Sequence, residues 1–255
     1  MLPISKRLLQ VLEPLDENGA QYAFYCRKEG QEPIFKTNVD SQRGRFAAAS
    51  IIKIPILLAW VKLERRGEVN RAELCDLDAE PQVQGAGFSW LLRARRLPYQ
   101  DVLLLMMAVS DNLCTNLIIR RVGIERLALA FREELGLEGT VLQRKLMDYA
   151  ARARGLENWI TAADCIRFFD LVRELSPDER AWVEPMLAAN QDDLLLMRRI
   201  PRDTITFYHK TGSMTGVLHD WGYTPGCDIF LLTQGVKDEP AAFEVFGELG
   251  RLLLE

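Results

Sequence analysis

The strand-like and helix-like stretches of this chain are unevenly placed, and that placement restricts the fold more than any other feature. Near the start, "QYAFYCRKEG" and "QEPIFKTN" (residues 21–38) are short segments around a Lys-Glu-Gly turn and read as a hairpin. Near the end, "TITFYHKTG", "GVLHDWGYT" and "CDIFLLTQGV" regain strand character, and "PAAFEVFGELGRLLLE" closes the chain as an amphipathic helix. Between them, residues 47–190 are almost wholly helical in pattern, with clear helices in "ERLALAFREELGL" and "AADCIRFFDLVREL". The simplest solution is an α+β fold: one antiparallel sheet flanked by helices, built from both chain ends, with an all-helical region inserted between its strands. That divides the chain into a sheet-containing domain, residues 1–46 and 191–255, and an inserted helical domain, 47–190.

The totals fit such a chain and remove other classes. It has 255 residues, enough for a large core, and a formal net charge of −4. Without a basic excess or a cluster of Lys and Arg, nucleic acid is not an expected partner. No run reaches the roughly 18 apolar residues of a membrane span. The first residues, "MLPISKRLLQVLEPLDENGAQ", place Lys6 and Arg7 after apolar residues and interrupt the run with Gln10, Glu13 and Pro14. That is an amphipathic helix carried by Ile4, Leu8, Val11, Leu12 and Leu15, not a signal peptide. The five cysteines are widely spaced without a CxxC, so buried reduced thiols are expected and a metal is not. These features predict a cytoplasmic protein with no cofactor, no membrane and no obligate protein partner.

Three short polar motifs stand out in apolar surroundings. In "FAAASIIKIPILLAW", Ser50 and Lys53 share a helix face at i and i+3, so an amine can lie beside a hydroxyl. A serine needs a base to become a nucleophile, and a lysine can be that base when burial or a nearby cation lowers its pKa. The same pattern also suits a capping serine and a snorkelling lysine. Pro55 leaves two starts open, a helix from near Ile54 or one from near Ser50 with a distortion. Ser110-Asp111-Asn112 interrupts "VLLLMMAV…LCTNLIIRRVG", as a helix break with a cap or as part of a site. Lys210-Thr211-Gly212, followed by Ser213, ends a strand, and the glycine would allow close approach to the backbone. Ser-x-x-Lys arises by chance roughly once in a chain this long, but each tripeptide arises in only about one such chain in twenty. All three in this order is therefore not coincidence.

This trio resembles the signature of the penicillin-recognising serine enzymes, and the likeness to the class A β-lactamase family covers nearly the whole chain. The resemblance implies a site in the cleft between sheet and helical domain, acting on a small-molecule β-lactam or related amide or ester. By position it implies that Ser50 is acylated, that Lys53 is its base, and that Ser110 passes a proton to the leaving nitrogen. It implies that Asn112 holds the substrate amide or orients Lys53, and that Lys210, Thr211 and Ser213, with Gly212 in the same strand, bind the substrate carboxylate. The backbone N–H groups of Ser50 and Ser213 would form the oxyanion hole.

One departure from the family bears on turnover. Class A enzymes carry a loop glutamate followed four residues later by asparagine, which activates the deacylating water. The matching region, "RKLMDYAARARGLENWITAADC", is shorter and lacks that spacing. Its carboxylates are Asp148, Glu157 and Asp164. Asp164 suits a helix cap after Thr161, which leaves Glu157 and Asp148 as candidate bases or as solvated loop residues. His209 should point away from the face of Lys210, and His219 beside Asp220 suits a structural hydrogen bond. The expectation is a β-lactamase-like serine hydrolase. The alternatives are a D-Ala-D-Ala carboxypeptidase or esterase, and a binding or sensor protein that is acylated without efficient release.

Overall fold

Both chain ends enter one sheet. The computed structural model describes residues 4–39 and 44–254. Helix α1 (Ile4–Glu17) leads into the hairpin β1 (Gln21–Lys28) and β2 (Ile34–Thr37), then a short strand β3 (Arg45–Ala47). A 3₁₀ turn, Ala49–Ile52, runs directly into α2 (Lys53–Arg65). The helical region continues through the small hairpin β4 (Leu74–Asp76) and β5 (Arg96–Pro98), then α3 (Tyr99–Ala108), α4 (Asn112–Val122) and α5 (Ile124–Glu133). It ends with α6 (Tyr149–Ala153), β6 (Trp159–Thr161), α7 (Ala162–Arg173) and α8 (Pro177–Ala188). The meander β7 (Tyr208–Met214), β8 (Val217–Thr224) and β9 (Cys227–Gln234) and the last helix α9 (Glu239–Leu253) complete the chain.

The five-stranded sheet has the order β2-β1-β9-β8-β7 and is antiparallel throughout. Its faces follow from strand alternation. Phe24, Ile229 and Leu231 face one core with Leu8, Leu12 and Leu15 of α1 and Phe246 and Leu249 of α9. Tyr25, Phe230 and Trp221 face the other core with Trp60, Phe168 and Phe169 from the helical region. Because β9 is central and covered on both sides, "CDIFLLT" reads as a continuous buried run rather than an alternating one. Trp221 stacks on Phe169 at 4.5 Å and donates its indole N–H to Cys165 O, fastening α7 to the sheet.

The α+β architecture is the expected one, but the helical stretch is less uniform than its pattern. Strand β6 pairs with β3, and β4 with β5. Three-residue strands are too short for period-two alternation to register in a sequence. The β3–β6 pair nevertheless matters for the site. It ties the residues just before Ser50 to the segment after Glu157, with Ala48 N donating to Asn158 O at 2.8 Å.

Candidate active site

Strain marks the place where Ser50 sits. Among the described residues, four non-glycine residues adopt positive φ, and three of them, Ala49 (44°), Ser110 (55°) and Met147 (62°), line one cleft. Such conformations cost about 1–3 kcal/mol each and persist only where the surroundings impose them. Both alternatives at Pro55 are partly realised: the 3₁₀ turn carries Ser50, and the α-helix proper begins at Lys53. Pro55 is then in the first helical turn, where a missing N–H breaks no bond. Ser50 lies inside that turn rather than at its cap, which is Ala48. Ser50 Oγ lies 2.9 Å from Lys53 Nζ.

Lys53 is wholly buried and reaches four oxygens: Ser50 Oγ at 2.9 Å, Ser110 Oγ at 2.9 Å, Ser110 O at 2.7 Å and Asn112 Oδ1 at 3.0 Å. The helix break at Ser110 makes this possible. Asp111 caps α4 by accepting from Cys114 N, and it also holds Phe88 N, Ser89 N and Ser89 Oγ. The capping reading of this motif is therefore realised, with Ser110 and Asn112 on either side of the cap in contact with Lys53. Asp111 also spends its carboxylate on these donors, and among the described residues no carboxylate bonds Lys53. Asn112 Nδ2 donates to Gln84 O at 3.1 Å, which turns its Oδ1 toward the lysine.

Burial pushes the Lys53 amine well below the ordinary lysine pKa, Lys210 pushes it further, and Asp111 and Cys114 oppose this. A neutral amine has two protons and one lone pair. Ser110 O and Asn112 Oδ1 can only accept, so they take the two protons. The lone pair is left facing the hydroxyls of Ser50 and Ser110. That is the arrangement of a base between two proton carriers.

The third motif lies on the edge strand. Lys210 is fully buried, donates to Thr211 O at 2.8 Å, and is pushed down to about 8 by burial against the upward pull of Asp192 and Asp220. Gly212 serves a contact within the protein. A Cβ there would lie 3.0 Å from the backbone nitrogens of both Ser50 and Ile51, so the glycine lets β7 run against the turn of Ser50 itself. In the tight hairpin, Met214 faces Val217 across two residues. Alternation from that pair turns the Ser213 N–H outward from the sheet. The Thr211 hydroxyl donates to Asp192 Oδ2 at 2.8 Å.

The loop carboxylates are engaged elsewhere. Asp148 caps α6 by accepting from Ala151 N, and it does not line the cleft. Glu157 does line it, but at 8% exposure it is locked in place. Its Oε1 accepts from Arg144 Nε at 3.0 Å, Arg144 Nη2 at 2.5 Å and Asn158 N at 2.9 Å, and its Oε2 pairs with Arg152 Nε at 3.0 Å. Asp164 accepts from Gly139 N and Thr140 Oγ1, while Thr161 caps α7.

Neither histidine enters the cleft. His209 Nδ1 lies 3.1 Å from Asp220 Oδ1, on the face opposite Lys210. His219 is pushed down to about 4 by burial. Its Nδ1 accepts from Thr233 N, so the neutral ring donates from Nε2 to Ala47 O at 2.8 Å. Among the described residues no group of three metal-ligating side chains gathers.

The cleft holds about 590 Å³ and is lined by Ser50, Ser110, Asn112, Thr211 and Ser213. Sequence reasoning missed Asp192, Arg144, Arg152 and Asn158, which share the same walls. None lies in a recognisable motif. The only signal was the crowding of Arg and Glu in "RKLMDYAARARGLEN".

The model of a β-lactamase enzyme family matches residues 3–255. No curated protein sequence matches. A β-lactamase from Sphaerobacter thermophilus superposes with a TM-score of 0.86 at 26% identity, over 100% of this chain and 97% of that one. A leucine-to-glutamate variant of PBP-A, solved as its acyl-enzyme complex with penicillin G, gives 0.82 at 23% identity, over 98% and 96%. An ancestral class A β-lactamase gives 0.83 at 21% identity, over 99% of both chains.

Proposed function

The chain belongs to the β-lactamase enzyme family and is a β-lactamase-like serine hydrolase, and from that premise we propose that Ser50 carries the acyl group of a β-lactam or related amide or ester. The observation that carries this reading is the uncharged-oxygen cage around buried Lys53, with Ser50 Oγ and Ser110 Oγ both at 2.9 Å. Lys53 takes the Ser50 proton as Oγ bonds the substrate carbonyl carbon. The N–H groups of Ser50 and Ser213 stabilise the oxyanion. As the carbon–nitrogen bond breaks, Ser110 gives its proton to the leaving nitrogen and is reprotonated by Lys53, which ends neutral again.

Release of the acyl group needs an activated water. Glu157 has its Oε1 taken by three donors and its Oε2 paired with Arg152, and Asp148 is a helix cap. This supports an acyl-enzyme that forms faster than it is hydrolysed, which favours the sensor-like or slow-hydrolase alternative over rapid drug destruction. The free thiols of all five cysteines support a reducing compartment, the cytoplasm.

Intact-protein mass spectrometry over time with a penicillin, a cephalosporin and an activated ester tests the reading, with Ser50→Ala as control. The expected result is a persistent adduct on the wild type and none on Ser50→Ala. Equal labelling of the two proteins removes Ser50 as the nucleophile. A transient adduct with drug consumed refutes slow release.

A further inference from the structure

We propose that Cys26 and Cys227 are a modification site: a hydroperoxide converts them to a reversible disulfide that staples β1 to β9. This does not depend on the acylation of Ser50. The two thiols face the core beneath α1 and α9, and their sulfurs lie 3.7 Å apart. They share one sheet face a step apart along the ladder, since Cys26 is opposite Ile229 and Cys227 is opposite Lys28. The other three cysteines, Cys75, Cys114 and Cys165, lie in the opposite core. A disulfide holds its sulfurs at about 2.0 Å, so the pair must close further. Cys227 is placed to give way, because it is the first residue of β9, directly after the turn at Pro225 and Gly226. Strain taken up there leaves the bond easily reduced again.

Both thiols are buried, but Cys26 and Lys28 line a cavity of about 220 Å³ whose walls include the exposed Gln31 and Glu32. Hydrogen peroxide, about the size of two waters, fits there. Either sulfur can donate to the other, so the singly ionised pair shares one proton. Cys227 is held below the ordinary thiol pKa by the bond from Cys26 and by Lys28, against burial. The thiolate that the reaction needs is therefore favoured. That thiolate attacks one peroxide oxygen: an S–O bond forms, the O–O bond breaks, and the released hydroxide takes up a proton to become water. The second sulfur then attacks the sulfenic sulfur: the S–S bond forms, the S–O bond breaks, and the second thiol's proton leaves with the hydroxyl as water. Two thiols lose two electrons and one peroxide gains them. The new bond joins residues 26 and 227, so its covalent loop contains Ser50, Ser110 and Lys210 and constrains the unfolded chain.

Hydrogen peroxide added to the folded wild-type protein, followed by intact mass and a non-reducing peptide map, tests the inference. The expected product has lost two hydrogens, joins the Cys26 and Cys227 peptides, and leaves Cys75, Cys114 and Cys165 as free thiols. Dithiothreitol should reverse it, and Cys227→Ser should form no cross-link. In urea the oxidised protein should unfold at a midpoint about 1 M above that of the reduced protein. A pair that stays reduced under conditions that fully oxidise free glutathione overturns the site. So does a sulfinic acid without a cross-link, or a cross-link that forms only in urea. A cross-link that leaves the urea midpoint unmoved overturns the staple.

Discussion

Arg144 in the cleft wall and Lys53 behind Ser50 and Ser110 are two buried basic side chains, and their surroundings are opposite. Lys53 touches four oxygens, none of them a carboxylate. Arg144 grips Glu157 through two nitrogens and closes on Lys145 O with a third. Burial without a counter-ion drives a lysine toward its neutral form. Burial with a bonded counter-ion keeps both partners charged and rigid. One side of the cleft is therefore arranged to move a proton and the other to hold its shape. What separates them is whether the nearest carboxylate is free to pair: Asp111 is committed to N–H and O–H donors, and Glu157 is committed to guanidinium.

The largest expected effect tests the mobile side. Lys53→Ala should slow acylation by about 10³-fold, in the range of a lost general base, while the protein remains folded. Acylation kinetics with an activated ester check this, and a loss under tenfold would remove Lys53 as the base. On the rigid side, Arg144→Met should lower unfolding free energy by about 3 kcal/mol in urea, because Glu157 is left half-paired in a buried site. If the same variant instead releases its acyl group much faster than wild type, Glu157 is a restrained base and the contrast fails. A comparable effect concerns the strap that holds the Ser50 turn to the sheet. His219 titrates near 4 in the fold against 6.5 when exposed, so its contribution is complete above pH 6.5 and is lost as pH falls toward 4. That loss is about 3 kcal/mol. Urea unfolding between pH 7 and pH 4 should show it, and His219→Gln should flatten that limb.

Much of the scaffold could be read from residue patterns because it depends on local chemistry. The amphipathic spacing of Leu8, Leu12 and Leu15, the hairpin around Lys28-Glu29-Gly30 and the buried run of β9 each correspond to an element. The strands β3 and β6 could not be read, since three residues carry no period. In the site, Ser50 and Lys53 could be paired because three residues on a turn bring side chains together. Ser110 and Asn112 come to the same amine from 57 and 59 residues away, and only a motif pointed to them. Glu157 and Asp148 looked equivalent as loop acids. Their difference lies in partners, Arg144 and Arg152 for one and a helix N-terminus for the other.

By itself the sequence determined the longer helices and strands and which residues could bear the chemistry, since these follow from spacing, capping and side-chain type within a few residues. Only the tertiary structure decided which of those residues are charged, which are spent and which are free. The Lys53 amine is pushed toward neutrality by burial and by Lys210 against the pull of Asp111, Glu157 is held because two arginines reach it, and the Thr211 hydroxyl is turned to Asp192. Protonation and hydrogen-bond direction depend on distances between segments far apart in the chain, and those distances exist only once the sheet and helices have packed.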